Sequence, residues 1–120
     1  MKYFVLFVLN DTSKCDELLD SWERAGVKGI TILASTGLGR IRQKIALRDD
    51  FPIFPSLSDI MEHTETLSRT FFTIVEGDEM VETIHKNTET VVGNLNLPNT
   101  GILFALPVAK AYGLNKINSD

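Results

Sequence analysis

The chain has 120 residues and a mass of 13.4 kDa; 43% of the residues are hydrophobic and 23% charged, with a net charge of −4 and a pI near 5.1. That is the size of one domain with one modest core, and the acidic balance argues against a nucleic-acid partner, which needs a basic face against the phosphates. One cysteine, Cys15, excludes an internal disulfide, and no apolar run approaches the ~20 residues of a membrane-spanning helix. The first predicted strand, residues 3–9, is almost wholly apolar, as a central strand covered on both faces would be. Its run is short and meets Asn10-Asp11-Thr12 without a small-residue cleavage site, so it reads as a strand rather than a secretion signal. The expected location is the cytoplasm.

Ser13 followed three residues later by Asp16 is a loose capping box. Cys15, Leu18, Leu19, Trp22 and Ala25 then fall at helical spacing and make one apolar stripe, which Gly26 closes. Trp22 reads as core, and Cys15 as a small buried group rather than a nucleophile. Residues 29–35 are apolar and β-branched and form the second predicted strand.

A glycine-rich turn follows directly: Thr36-Gly37-Leu38-Gly39-Arg40. Glycines let backbone N–H groups close on a ligand, and an adjacent arginine adds a fork of donors suited to phosphate or carboxylate. Arg40, Arg42, Lys44 and Arg48 are four of the chain's twelve basic residues. Two readings stand side by side here: an anion-binding turn with a basic flank, or a plain tight turn with a solvated charged face.

Residues 36–66 form a long mixed loop. Pro52 and Pro55 rule out a regular central strand there, and Ser56 or Ser58 is placed to cap a short helix over residues 59–63. The third strand is expected over residues 70–75, with Phe71 and Phe72 on opposite faces; one of them must point away from the helices, which suggests a sheet whose second face is also covered. Gly77-Asp78 opens a second helix with Val81, Ile84, Thr88, Val91 and Val92 inward. After a loop over residues 93–101, residues 102–108 form the fourth strand, its proline suiting a strand end at a sheet edge. Residues 109–120 are a polar tail. His63, His85 and Cys15 make no metal-ligand spacing. The order β-α-β-β-α-β is the ferredoxin-like α+β arrangement: a four-stranded antiparallel sheet with two helices on one face, here as a single domain over residues 1–120.

Several segments together resemble the P-II nitrogen-regulatory signalling family. Ala25-Gly26-Val27-Lys28-Gly29-Ile30-Thr31-Ile32 is similar to the family's Gly-x-x-Gly-x-Thr-Val approach to strand two. Gly37-Leu38-Gly39-Arg40 is similar to its Gly-Phe-Gly-Arg at the base of a long T-loop. Gly101-Ile102-Leu103-Phe104-Ala105-Leu106-Pro107-Val108 is similar to its final Gly-Lys-Ile-Phe-Val-Leu-Pro-Val strand. The likeness spans nearly the whole chain.

The resemblance implies a homotrimeric, non-enzymatic signal-transduction protein that binds nucleotides in clefts between subunits. The T-loop, here residues 40–66, would engage a protein target. Thr31, Gly37, Leu38, Gly39 and Arg40 would form one wall of the cleft, and Thr100 with Gly101 the remnant of the phosphate-binding B-loop opposite. The chain departs from the family at three places. Ile102 stands where the B-loop lysine belongs, Thr100 replaces its aspartate, and the arginine pair expected after the last strand is missing from residues 109–115. Each charge-assisted hydrogen bond is worth roughly 1.5–3 kcal/mol, so tight ATP binding is not expected. The loop also has no tyrosine to uridylylate. The expectation is a P-II-like sensor of a small anionic metabolite or an adenine nucleotide, its cofactor left open.

Two alternatives come from other classes. An acylphosphatase-type hydrolase on the same fold would want an arginine cradle after strand one, where this chain has Asn10-Asp11-Thr12-Ser13-Lys14. An RNA-binding module is faintly suggested by Arg69-Thr70-Phe71-Phe72, against the acidic charge.

Overall fold

A computed structural model of the chain describes residues 1–36 and 67–115. The elements in order are β1 (Lys2–Leu9), α1 (Cys15–Ala25), β2 (Thr31–Ser35), β3 (Ser68–Glu76), α2 (Asp78–Val92) and β4 (Gly101–Pro107), with a 3-10 turn over Thr12–Lys14 leading into α1. The strands form one antiparallel sheet in the order β2-β3-β1-β4. This is the ferredoxin-like arrangement the apolar periodicities predict.

Strand periodicity gives the sheet two unlike faces. The inner face carries Val5, Phe7 and Leu9 of β1 with Phe71 and Val75 of β3, all buried. Leu18 and Trp22 of α1 and Ile84 and Val91 of α2 close over them as one core. Trp22 lies at its centre, its ring 5.9 Å from that of Phe71. The outer face is set by the cross-strand pairs Phe4–Ile74, Leu6–Phe72, Phe4–Leu106, Leu6–Phe104 and Val8–Ile102. It is therefore apolar from β3 across to β4. Among the described residues no helix covers it, and there the expectation that β1 is covered on both faces holds only in part: Phe4, Leu6 and Val8 are half-buried. Phe71 and Phe72 do divide as predicted, the first against Trp22 and the second against Phe4 at 5.4 Å.

A buried polar relay ties the helices together. The Trp22 indole N–H donates to Thr88 Oγ1 at 2.9 Å, and the Thr88 hydroxyl donates to the Ile84 carbonyl at 2.7 Å. Both side chains are fully buried. Thr88→Val keeps the shape but orphans the indole N–H, and a buried donor without a partner costs about 1–3 kcal/mol. Urea denaturation of Thr88→Val should show that loss, and Thr88→Ser should recover part of it. Equal stability of the valine variant and the parent would show that the relay contributes nothing.

Two local expectations are corrected. The Ser13–Asp16 capping box does not form. Instead the Asp11 carboxylate accepts from both the backbone N–H and the hydroxyl of Ser13, at 3.1 and 2.6 Å. Asp11 thereby caps the 3-10 turn, and α1 starts after Lys14 with no side-chain cap. An Asx side chain bonding two residues on competes with the helical cap and wins here. The second strand starts at Thr31 rather than Gly29, because the Gly29 carbonyl accepts from the Thr73 hydroxyl at 2.5 Å. It is also an edge strand with four of its five residues exposed. Gly26 closes α1 as expected, at φ +107° with its N–H returned to the Glu23 carbonyl.

Candidate functional site

The candidate residues divide by where the fold puts them. Gly37, Leu38, Gly39 and Arg40, with the basic flank Arg42, Lys44 and Arg48 and the loop helix expected over residues 59–63, lie outside the described residues. In the sequence Gly37 comes two residues after Ser35, the last residue of β2, which pairs with Ser68 of β3. Thr31 opens β2, exposed, opposite Phe72. Thr100 and Gly101 lie at the start of β4, where Gly101 pairs with Leu9.

Thr31 and Gly101 are not neighbours within the chain. β2 and β4 are the two edges of the sheet, three strand spacings apart, or about 14 Å. They are also offset along the strands: Thr31 shares a row with Phe72, Leu6 and Phe104, and Gly101 shares one with Leu9, Arg69 and Ala34. One chain therefore presents Thr31 and Gly101 on opposite flanks.

The Thr100–Gly101 corner is tightly determined by its own packing. Gly101 has φ +128°, and a Cβ there would lie 2.2 Å from the Val8 carbonyl oxygen and 2.8 Å from the Phe7 ring. Close approach of β4 to β1 thus requires glycine whether or not a ligand binds. The Thr100 hydroxyl donates within its own loop, to the carbonyls of Leu97 at 2.9 Å and Leu95 at 3.3 Å. Asn99 before it adopts φ +65°, a conformation asparagine tolerates better than most residues.

A cavity of about 840 Å³ opens beside Thr31. It exists because β3 outruns β2: Thr73–Glu76 pair with β1 but have no partner in β2. Phe4, Phe72 and Ile74 give it an apolar wall, Lys28 and Lys2 line its rim, and Gly113–Asn115 supply another side. The Lys2 ammonium is paired with Glu76 at 3.6 Å. Sequence reasoning missed this cavity, since it arises from the unequal lengths of two strands and from a tail that carries no pattern of its own.

The remaining chemistry is sparse. Cys15 is half-buried against the core. Burial pushes its thiol up, the Asp16 carboxylate adds to that, and Arg69 partly opposes both; this is a thiol held in its inert form. Arg69 donates to the Ser68 carbonyl at 3.2 Å. His85 sits on α2 between Glu89 at 2.9 Å and Glu82 at 3.8 Å. Among the described residues no three His, Cys, Asp or Glu side chains converge on a metal-sized site, and no helix is long and apolar enough to cross a membrane.

No family model matches the chain, and no curated protein matches it. Among solved structures it is similar to PII of Arabidopsis thaliana, in the crystal structure of that protein bound to citrate. The identity is 16%, the TM-score 0.58, and the likeness covers 89% of this chain and 77% of the other. The chain thus has a PII-like fold, an agreement of architecture at an identity where sequence alone says little.

Proposed function

We propose that this chain is a cytoplasmic, PII-like regulatory protein rather than an enzyme. It assembles as a homotrimer, senses a small anionic metabolite or an adenine nucleotide in a cleft between subunits, and signals through residues 40–66 to a protein target. One wall of the cleft is Thr31 with Gly37, Leu38, Gly39 and Arg40; the other is Thr100 and Gly101 of the next copy.

The observation that carries this reading is the placement of Thr31 and Gly101 on opposite sheet edges. Residues of one site on opposite flanks meet only when a second copy docks, and a closed ring brings every such pair together. The apolar outer face, which no described helix covers, supports the same assembly: Ile102, Phe104 and Leu106 are 58%, 40% and 53% exposed in the single chain. Contiguous apolar surface of this kind marks an interface. The ligand class rests on the Gly37–Arg40 turn and on citrate, a small polyanion, bound to the similar PII structure. Fold alone does not supply the function, so the site must be tested directly.

Thermal-shift screening of the purified chain against ATP, ADP, AMP, cyclic nucleotides, bicarbonate, 2-oxoglutarate and citrate makes that test. A ligand at a hundred times its Kd stabilises the native state by about 2.7 kcal/mol, a rise on the order of 10 °C for a domain of this size. Arg40→Ala removes a charge-assisted bond worth roughly 1.5–3 kcal/mol, so it should weaken binding by about 10- to 100-fold. A shift that survives Arg40→Ala unchanged would place the ligand elsewhere.

A further inference from the structure

The residues after β4 do not simply leave the sheet. The Val108 N–H donates to the Lys2 carbonyl at 2.9 Å, so the chain is still beside β1 there. Five residues later Gly113, Leu114 and Asn115 line the same cavity as Phe72–Glu76 of β3 and Thr31 of β2. The segment thus runs from its bond to β1 into a cavity that β1, β2 and β3 share. Gly113 has φ +91°, a bend that a side chain at this position would strain. Leu114 is 44% exposed, so it is partly covered without being locked into the core. Among the described residues, none after Pro107 belongs to the buried core.

The cavity that Gly113–Asn115 line is also lined by Phe4, Phe72 and Ile74, which are residues of the outer face. We propose that the segment after β4, centred on Leu114, is an intramolecular competitor for that face: it shields one corner in the isolated chain and must shift for a second copy to dock fully. This rests on the assembly reading above and names its regulation. Docking of another copy and release of the segment are then linked equilibria, and a contact made only in the unassembled state raises the concentration needed for assembly. A ligand or partner that holds residues 109–115 away from the sheet would promote assembly without touching the interface itself.

Sedimentation velocity over a wide concentration range tests this with the full chain, with Leu114→Asp, and with the chain shortened to residues 1–110. Leu114 lies outside the core, so the point variant leaves the fold intact, which circular dichroism verifies. The expected result is a half-assembly concentration at least several-fold lower for Leu114→Asp, and lower still for the shortened chain. An unchanged or higher value in both, with the full chain still assembling, overturns the competitor and leaves the assembly reading standing. Monomers at every concentration in all three overturn both. Reversible assembly in the shortened chain together with a monomeric full chain would be the strongest form of support.

Discussion

Gly101→Ala is expected to destabilise the chain by about 3 kcal/mol or more. The added methyl would sit 2.2 Å from the Val8 carbonyl oxygen and 2.8 Å from the Phe7 ring. Neither can yield easily, because Val8 is main chain of the central strand and Phe7 is fully buried in the core. The backbone at φ +128° adds its own cost, since an L side chain in such a region is strained by ~1–3 kcal/mol. Relief requires the start of β4 to lift from β1, with overpacking costs of a further ~1–3 kcal/mol. Gly93→Ala is the control: Gly93 also has a positive φ, +93°, but a Cβ there meets nothing within 4 Å. Urea denaturation should separate the two variants clearly. Similar losses for both would mean that backbone strain alone sets the cost and that the close approach of β4 to β1 does not matter. The result bears on function as well, because a glycine demanded by packing is not by itself a sign of a phosphate loop.

Phe104→Asp is expected to abolish assembly while leaving the chain folded. Phe104 is on β4 opposite Leu6, on the outer face and 40% exposed, so its replacement opens no hole in the helix-covered core. Within an assembly the same position would bury an unpaired carboxylate among apolar side chains, which costs several kcal/mol. At about 1.4 kcal/mol per tenfold, the half-assembly concentration should rise by two orders of magnitude or more. Thr83→Asp, on an exposed position of α2, should change it little. Assembly of Phe104→Asp at parental concentrations would show that the outer face is not the interface.

How much of this was legible in the sequence follows from what each signal measures. The helices were readable because Leu18 and Trp22, and Ile84, Thr88 and Val91, recur at the spacing of one buried face. Gly26 was readable because a helix end needs a positive φ there. The Phe71–Phe72 pair revealed a two-sided sheet, since adjacent strand residues must face opposite ways. β2 misled in its start: its apolar residues suggested a strand from Gly29, yet it is an exposed edge strand starting at Thr31. Apolar composition reports that a surface will be covered and is silent on whether the cover comes from the same chain. The Ser13–Asp16 pattern misled because Asp11, two residues earlier, reached Ser13 first. The site was half legible. Candidate residues could be named, but the placement of Thr31 and Gly101 on opposite edges is a matter of strand order, and strand order is not written in any local pattern. The course of residues 109–115 was not readable at all, because a short segment with Gly113 and Leu114 carries no periodicity.

The central claim is that the site is completed by another copy of the chain. The most direct test is the mass in solution, measured by sedimentation equilibrium of the 120-residue chain from low to high concentration. A species of three times the 13.4 kDa chain mass that dissociates on dilution is expected. A mass of one chain at every concentration would contradict it, because Thr31 and Gly101 would then never share a cleft.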